Sequence, residues 1–412
     1  MNGVFRFLLQ STLVVILTGV DTMLSAEGLL PLPAVLLSLA LLLIAVGYGL
    51  TAARNQRVPR GFQLTLLEIL LVFAVLYAPT IIGMLLIAFV PDLLINLGPL
   101  AIYNSIVCVL VMLGCLLLGE ERVLTRLAVI CLVVYVLSVA FDLVSGGLLS
   151  VLVARPAGFM RNPNDGAFTI AALLIASLRW RQPTLRDLPL LAFAFAGIIP
   201  TLSRSGLLAW LLVTLSYFTA IVLAGHRWRL LLLLVLGLGA GGLAVALNEG
   251  LATTAIRNAD SARRLTEIGE LASGNTRSAV DDPRVLLFRH YLDLAAERPL
   301  LGYGPSFAVS GFGTPEAGQD DQGPHNAFLA RYVDTGVIGL ACLLLFFLFW
   351  LAFFFQYRSP AGLMYVVFLA FTGLFSHDLI DRKALLGILM VLGAQALLRQ
   401  RSLLTAHTSN PS

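Results

Sequence analysis

Long apolar runs separated by short polar turns make up most of this chain, and the pattern predicts helices that cross a membrane. A helix needs about 20 apolar residues to cross the hydrocarbon core, whereas strands of a membrane barrel alternate apolar and polar residues over about ten positions. The runs here are continuous. We therefore predict an all-α, polytopic membrane helical bundle of about twelve spans. The predicted spans are 6–25, 31–50, 62–90, 97–118, 123–145, 166–178, 186–200, 203–224, 229–248, 327–356, 360–376 and 384–398.

One long polar segment interrupts this pattern. Four regions follow from it: residues 1–248 with spans one to nine, an extramembrane loop over 249–326, residues 327–398 with spans ten to twelve, and a tail over 399–412. Within the loop, Asp282 and Pro283 are typical of a helix start. Val285, Phe288, Leu292 and Ala295 recur at helical spacing after it. This amphipathic helix is expected to lie on the membrane surface or at the mouth of a cavity. In span three, Pro79 is expected to kink or split the helix.

Arginines in the short loops orient the bundle. They follow spans two, four, six, eight, ten and twelve, which places them on one side, and the positive-inside rule makes that side cytoplasmic. Both termini are then cytoplasmic and the polar loop is outside. These arginines are Arg54, Arg57, Arg60, Arg122, Arg126, Arg179, Arg181, Arg186, Arg227, Arg229, Arg358, Arg399 and Arg401.

The composition is typical of a membrane protein and argues against one class of partner, nucleic acids. The chain is 58% hydrophobic and 12% charged, with a formal net charge of +4, whereas soluble domains carry about 25% charged residues. The basic residues outside topological positions form no tract, so nucleic acid is not an expected partner. The four cysteines fall inside predicted spans and are expected to be small core residues.

Several cationic groups lie on the predicted outer side, against the rule. An arginine within a span costs roughly 2.5–3.5 kcal/mol on insertion scales and persists where it faces a cavity or a partner. Several on one side indicate an anionic ligand at the outer membrane surface. They are Arg155, Arg161, Arg204, Arg284, Arg289, His325, Arg382 and Lys383.

Arg204 is the first candidate for binding this anion. Pro200 breaks the preceding span, and Arg204 opens the next one within the segment 201–206. A guanidinium forks onto phosphate oxygens, and a helix N-terminus adds its positive dipole end, so the pair forms a phosphate seat. The alternative is an interfacial arginine that reaches lipid headgroups. Arg161 precedes Asn162, Pro163 and Asn164, where a turn and helix cap are the alternative to a second anion contact.

His325 precedes span ten and is the candidate general base, because a neutral imidazole there could take a proton from a hydroxyl group. The alternative is a histidine that caps the helix or bonds locally. His377 at the outer end of span eleven would orient the site or simply border a short loop. The turn 300–305 is only a weak phosphate-loop signal. No metal is expected, since the acidic pairs and histidines lack ligand spacing.

Taken in order, these motifs resemble the O-antigen ligase family of bacterial surface-glycan enzymes. The shared elements are 162–164, 202–206, Arg284 with an aromatic four residues on, 298–305, His325 with Asn326, and 334–339. The resemblance covers about residues 160–339 closely. Phe288 stands where that family often has Trp.

The resemblance implies a metal-independent, inverting glycosyltransferase of GT-C-like architecture that needs no cofactor. Its donor would be a glycan on a polyprenyl diphosphate, of the undecaprenyl diphosphate kind, and its acceptor a sugar hydroxyl such as lipid A–core. The enzyme would lie in the bacterial inner membrane among membrane lipids, with its active site facing the periplasm. Arg204, Arg284 and Arg161 would bind the diphosphate, His325 would act as base, and Asn326 and His377 would support it.

Two alternatives remain open from the sequence. A polysaccharide polymerase of the same family would use the same donor and differ in its acceptor. A carrier for an anionic lipid or solute would belong to a different class, but such proteins place charges near the bilayer midplane and often have repeated halves. Here the charges gather at one side, and the sequence has no evident repeat.

Overall fold

The structure is a computed structural model, which describes residues 3–20, 60–86, 91–151, 155–224, 283–305, 307–309, 323–376 and 382–408, with the single residues 23, 43 and 47. Predicted spans two and nine, most of the polar loop, and His377 lie outside the described residues. The side chain of Arg284 also lies outside them, although its backbone is described.

Helices account for the fold of the described residues, which contain no strand. The predicted all-α class is therefore confirmed for that part. Eleven α-helices are described there, in chain order: α1 Gly3–Thr18, α2 Arg60–Leu86, α3 Pro91–Leu118, α4 Glu121–Val144, α5 Pro163–Ser177, α6 Leu188–Ile198, α7 Arg204–Leu223, α8 Pro283–Glu297, α9 Ala327–Gln356, α10 Pro360–Gly373 and α11 Lys383–Thr408.

Among the described residues, four helices are long and apolar enough to cross a membrane: Glu121–Val144, Arg204–Leu223, Ala327–Gln356 and Lys383–Leu403. Further apolar segments are shorter, such as Gly3–Thr18 and Pro360–Gly373. This is a multi-pass membrane protein by its helices. The total of about twelve spans remains a prediction.

Two details of the predicted helices differ in the structure. Pro79 does not split α2, which continues from Arg60 to Leu86. Helix α11 continues past the predicted end of span twelve at residue 398 and ends at Thr408.

The chain divides into two compact units. One, which we call the terminal unit, comprises Met1–Leu17, Gly28–Leu127 and Pro283–Ser412. The other, the central unit, comprises Thr18–Glu27 and Ala128–Asp282.

In the terminal unit, α9 is the main packing partner. It contacts α2, α8 and α10, while α11 packs against α3 and α10. Fully buried aromatic side chains fill the core, among them Trp350, Phe354, Tyr365 and Phe368. Aromatic rings each bury a large apolar area, so this cluster fixes how the helices meet.

In the central unit, α5 is enclosed on nearly all sides and packs against α6 and α7. At its far end Arg179 forms an ion pair with Asp187, with an Nη2–Oδ1 distance of 2.5 Å. Tyr217 of α7 donates its hydroxyl to the same carboxylate. These bonds tie the α5–α6 turn to α7, and the hydrogen bond that Arg179 donates to Asp187 raises the pKa of Arg179.

Candidate active site

The start of α5 is held in a defined geometry. Asn162 is the N-cap, and its side chain accepts a hydrogen bond of 3.0 Å from the amide of Asn164. Pro163 occupies the first helical turn, where its missing N–H costs nothing. Arg161 precedes the cap and has a positive φ of 63°.

The start of α7 has the same construction. Ser203 is the N-cap and accepts a hydrogen bond of 3.0 Å from the amide of Gly206. Leu202 precedes the cap with a positive φ of 50°. Arg204 is the first residue of the helix and is half-buried.

Hydrogen bonds join these two helix starts directly. The hydroxyl of Ser203 donates to the Asn164 side-chain oxygen over 2.8 Å. An alanine Cβ at Gly206 would collide with Ala167, so only glycine allows α5 and α7 to approach this closely. We call residues 161–165 and 202–206 the paired helix starts. These short segments contain the positive dipole ends of α5 and α7, two arginines, and one acidic residue, Asp165.

Arg155 holds the paired helix starts together from the interior. Its side chain is 3% exposed, and its Nε donates to the carbonyl of Thr201 over 3.1 Å. Its Nη2 lies 3.4 Å from both the Asn164 side-chain oxygen and the Leu202 carbonyl. Sequence reasoning placed Arg155 on the outer side, and the structure gives it an internal bridging role.

A buried carboxylate that sequence reasoning missed organises the loop before Arg161. Asp142, at the end of α4, is fully buried and accepts hydrogen bonds from the amides of Leu149 at 2.7 Å and Ala157 at 2.8 Å. The amide of Gly158 and the hydroxyl of Ser150 donate to it as well. A charged acceptor with several donors is strongly satisfied, so this loop has a fixed course.

Tyr135 holds the same loop from a second side. Its hydroxyl donates to the carbonyl of Ala157 over 2.8 Å and accepts from the amide of Met160 at 3.2 Å. Val151 then donates its amide to the carbonyl of Arg161 over 3.0 Å. The backbone of Arg161 is therefore fixed through three neighbouring segments.

The sequence offered little that could have identified Asp142. It is a lone acidic residue in an apolar run, near the end of a predicted span.

In the terminal unit, His325 and Asn326 form the entrance to α9. Asn326 is the N-cap, and its side-chain oxygen accepts from the amides of Phe328 and Leu329, each at 3.0 Å. His325 precedes the cap with a φ of 48° and is partly exposed. Asn326 was predicted to support the base, and the contact that the structure shows for it is this capping.

The glycine-rich turn 300–305 has a structural role, which replaces the weak phosphate-loop interpretation. Helix α9 breaks at Gly336, where φ is 65° and ψ is −163°. The carbonyls of Val333 and Asp334 then accept from the amides of Tyr303 and Gly304, each at 2.9 Å. These amides are occupied by backbone carbonyls, so they are not available to cradle a phosphate.

The turn is locked to the break from the other side as well. Val337 donates its amide to the carbonyl of Pro299 over 2.8 Å. The carboxylate of Asp334 accepts from the amide of Ala308 at 2.8 Å. We call residues 299–304 and 333–337 the turn–helix clamp. The clamp gives the glycine-containing segments 299–304 and 333–337 a shared structural role, because each holds the other's backbone.

Helix α8 packs on the same part of α9. Leu287, Tyr291 and Ala295 are buried against Leu329 and Val333. Burial raises the pKa of Tyr291, and the nearby Asp334 carboxylate adds to that effect.

The predicted apolar positions of α8 do not all face the protein. Ala295 is buried, Phe288 and Leu292 are exposed, and the face packed against α9 is formed with Leu287 and Tyr291. The expectation that the helix lies on the membrane surface stays a prediction. Arg284 lies in the first turn of α8.

Arg331, on α9, is a further cation that sequence reasoning did not single out. Its Nη1 donates to the hydroxyl of Thr80 over 2.8 Å, which links α9 to α2 one residue after Pro79. Thr80 is buried, so the bond brings a guanidinium against the packed interface of two helices.

The structure thus places the predicted site residues in two sets. Arg161 and Arg204 belong to the paired helix starts of the central unit, and His325, Asn326 and Arg284 belong to the terminal unit. His377 lies outside the described residues.

A comparison with known protein families finds a match over the part of the chain that contains most of these residues. The class defined by the helices is a multi-pass membrane protein. The O-antigen ligase family model matches residues 189–344. This match supports the assignment of the chain to the O-antigen ligase family that its motifs predicted. The matched segment contains Arg204, Arg284, His325 and both halves of the turn–helix clamp. No curated protein matches the chain.

Proposed function

We propose that this chain is a glycosyltransferase of the bacterial inner membrane, working at the periplasmic face. It moves a glycan from a polyprenyl diphosphate onto a sugar hydroxyl of an acceptor such as lipid A–core. The observation that carries the proposal is the paired helix starts, where two joined helix N-termini are flanked by Arg161 and Arg204. The family match supports the same reaction class.

The leaving group explains the arginines. As the bond between the anomeric carbon and the diphosphate oxygen breaks, negative charge develops on the diphosphate. Preorganised positive groups aimed at developing charge are often the largest catalytic contribution. Arg204 and Arg161, with Arg284 in α8, supply that charge without a metal, and the helix ends add their dipoles.

His325 supplies the base. The acceptor hydroxyl oxygen attacks the anomeric carbon from the side opposite the diphosphate, and the imidazole takes the hydroxyl proton. The glycosidic bond forms while the diphosphate leaves with the bond electrons, so the configuration inverts. General-base assistance of this kind contributes roughly 10²–10⁴ in rate.

Substitution of His325 tests the base. Transfer should fall by about 10²–10⁴ in His325→Ala, because no group then accepts the proton, while donor affinity stays near that of the unmodified protein. Single-turnover transfer from a radiolabelled polyprenyl-diphosphate glycan in proteoliposomes measures both. Normal transfer by this variant would remove His325 from the mechanism.

Substitution of Arg204 tests the anion seat. Hydrogen bonds to charged groups contribute about 1.5–3 kcal/mol, so Arg204→Ala should weaken donor binding by about 10–150-fold. Arg186→Ala is the matched control, since Arg186 is an exposed arginine in the turn before α6. Equal donor affinities in the two variants would contradict the seat.

The acceptor decides between ligase and polymerase. A strain without this gene should accumulate lipid-linked polymer and free lipid A–core if the chain is a ligase. A surface glycan that stops at one repeat unit would instead indicate the polymerase. Two-sided access to the site, measured by labelling, would favour the carrier.

A further inference from the structure

Two large apolar side chains belong to the first segment of the turn–helix clamp, just after the end of α8. Leu300 is 67% exposed and Leu301 is 65% exposed. They follow Pro299 directly, and their neighbours in the turn are fixed by backbone hydrogen bonds. Two adjacent large apolar side chains, exposed on a turn whose backbone is held by hydrogen bonds, are a candidate contact with an apolar partner.

The clamp fixes the position of these two leucines relative to the axis of α9. The carbonyl of Pro299 accepts from the amide of Val337 at 2.8 Å. A Cβ at Gly336 would collide with the backbone of Leu300, so the two backbones are in direct contact there. Leu300 and Leu301 therefore lie at the level of residues 336 and 337.

That level matches the edge of the hydrocarbon core. After the break at Gly336, α9 continues over residues 337–356, which at about 1.5 Å per residue is roughly 30 Å long. A bilayer core is about 30 Å thick. Val337 and Ile338, the first residues of this stretch, are 46% and 48% exposed, as lipid-facing residues are. The backbone of Leu300 contacts α9 at the same level, and its side chain and that of Leu301 are exposed as well.

Helix α8 carries a second apolar strip. Phe288 is 40% exposed and Leu292, one turn later, is 47% exposed, while Leu287 and Tyr291 beside them are buried against α9. Residues four apart lie on one side of a helix. The strip is thus a flank of α8 that the described part of the chain leaves exposed.

We propose that Leu300 and Leu301 form a wedge that inserts among the acyl chains of the leaflet nearest to His325, with Phe288 and Leu292 resting on the same lipid surface. The partner is phospholipid, because the wedge continues the exposed side of a membrane-crossing helix. Insertion docks α8 to the bilayer and fixes the height of the α9 entrance above it. The inference rests on α9 crossing the membrane and is independent of the reaction proposed above.

Spin labelling tests the wedge in the full-length protein. A nitroxide is attached at Leu301→Cys in a Cys342→Ala background, because the other three cysteines are buried. The protein is placed in nanodiscs of phosphatidylethanolamine and phosphatidylglycerol. Asp293→Cys, at an exposed polar position of α8, is the matched control.

The label at position 301 should collide severalfold more with oxygen, relative to a water-soluble nickel chelate, than the label at position 293. Equal ratios at both positions would overturn the proposal. Low collision rates with both reagents would also overturn it, because they would show that protein covers the turn. Leu300→Cys gives a second measurement if the first variant does not fold.

Discussion

At the scale of single residues, three helix starts of the candidate site share an unusual backbone. Arg161, Leu202 and His325 each precede an N-cap with positive φ. For residues with a Cβ this conformation costs about 1–2 kcal/mol. Arg358 also has a positive φ before Ser359, so the geometry belongs to the helix entry. What distinguishes the site is that a histidine, the candidate base His325, occupies such a position, which glycine would fill with less strain.

Glycine substitution separates strain from chemistry. His325→Gly should be no less stable than the unmodified protein, since relief of about 1 kcal/mol of strain offsets the added freedom of the unfolded chain. Transfer should nevertheless be lost with the imidazole. Thermal unfolding in detergent and single-turnover transfer are the measurements.

Leu202→Gly is the control for that pair of measurements, because it relieves the same backbone without removing a charge or base. It should keep transfer. A loss of transfer equal to that of His325→Gly would show that backbone rigidity, and not the imidazole, is what matters at these positions.

Asp142 gives a second prediction at this scale. Asp142→Asn keeps the shape but replaces one acceptor oxygen by a donor, which leaves at least one of its amide or hydroxyl donors unsatisfied. An unsatisfied buried group costs about 1–3 kcal/mol. The loop before Arg161 should loosen, so the affinity for the donor should fall. The rate of glycan transfer from donor that is already bound should change little.

A double variant shows whether that effect passes through Arg161. In an Arg161→Ala background, Asp142→Asn should weaken donor binding no further, because coupled residues are not additive. Fully additive losses would mean that Asp142 acts by another route. Normal donor affinity in Arg161→Ala alone would instead remove Arg161 from the donor site.

At the scale of elements, the sequence predicted most helix ends to within a few residues. Four of the described helices begin at a clear side-chain cap, at Asn162 with Pro163, Ser203, Asn326, and Ser359 with Pro360. The break of α9 at Gly336 was not predicted. Its hydrogen-bond partners come from residues 299–304, and no local pattern within α9 shows that these will be present.

Gly336→Ala tests the turn–helix clamp. The φ of 65° with ψ of −163° is a conformation that is essentially limited to glycine, and strain there costs about 1–3 kcal/mol. A Cβ would also collide with the Leu300 carbonyl. We expect a lower unfolding temperature and poor expression, measured in detergent extracts.

The control for Gly336→Ala is Gly3→Ala, because a Cβ at Gly3 meets nothing within 4 Å. It should leave the unfolding temperature unchanged. If both variants behave alike, the break in α9 does not depend on the clamp.

At the scale of the whole molecule, the helices define a multi-pass membrane protein, and the family match over residues 189–344 is to the O-antigen ligases. Orientation remains a prediction from the loop arginines. It requires the start of α9 to face the periplasm and its end, near Gln356, to face the cytoplasm.

Cysteine labelling checks that orientation. In a Cys342→Ala background, Ala296→Cys on α8 should react with a membrane-impermeant maleimide in intact spheroplasts. Gln356→Cys should react only after lysis, since both positions are exposed on the protein and differ only in side. The opposite result would place the candidate base in the cytoplasm and contradict the proposed function.

The sequence by itself determined the helical membrane class, most of the described helix ends and the motifs of the family, because these depend on local hydrophobicity and capping. Only the tertiary structure decided that Asn164 and Ser203 join two helix starts, that Arg155 and Asp142 hold their approach, and that the glycine-rich turn clamps α9. In the central unit these contacts link residues as far as 47 positions apart. Such pairings follow from packing of the whole chain, which no local pattern encodes.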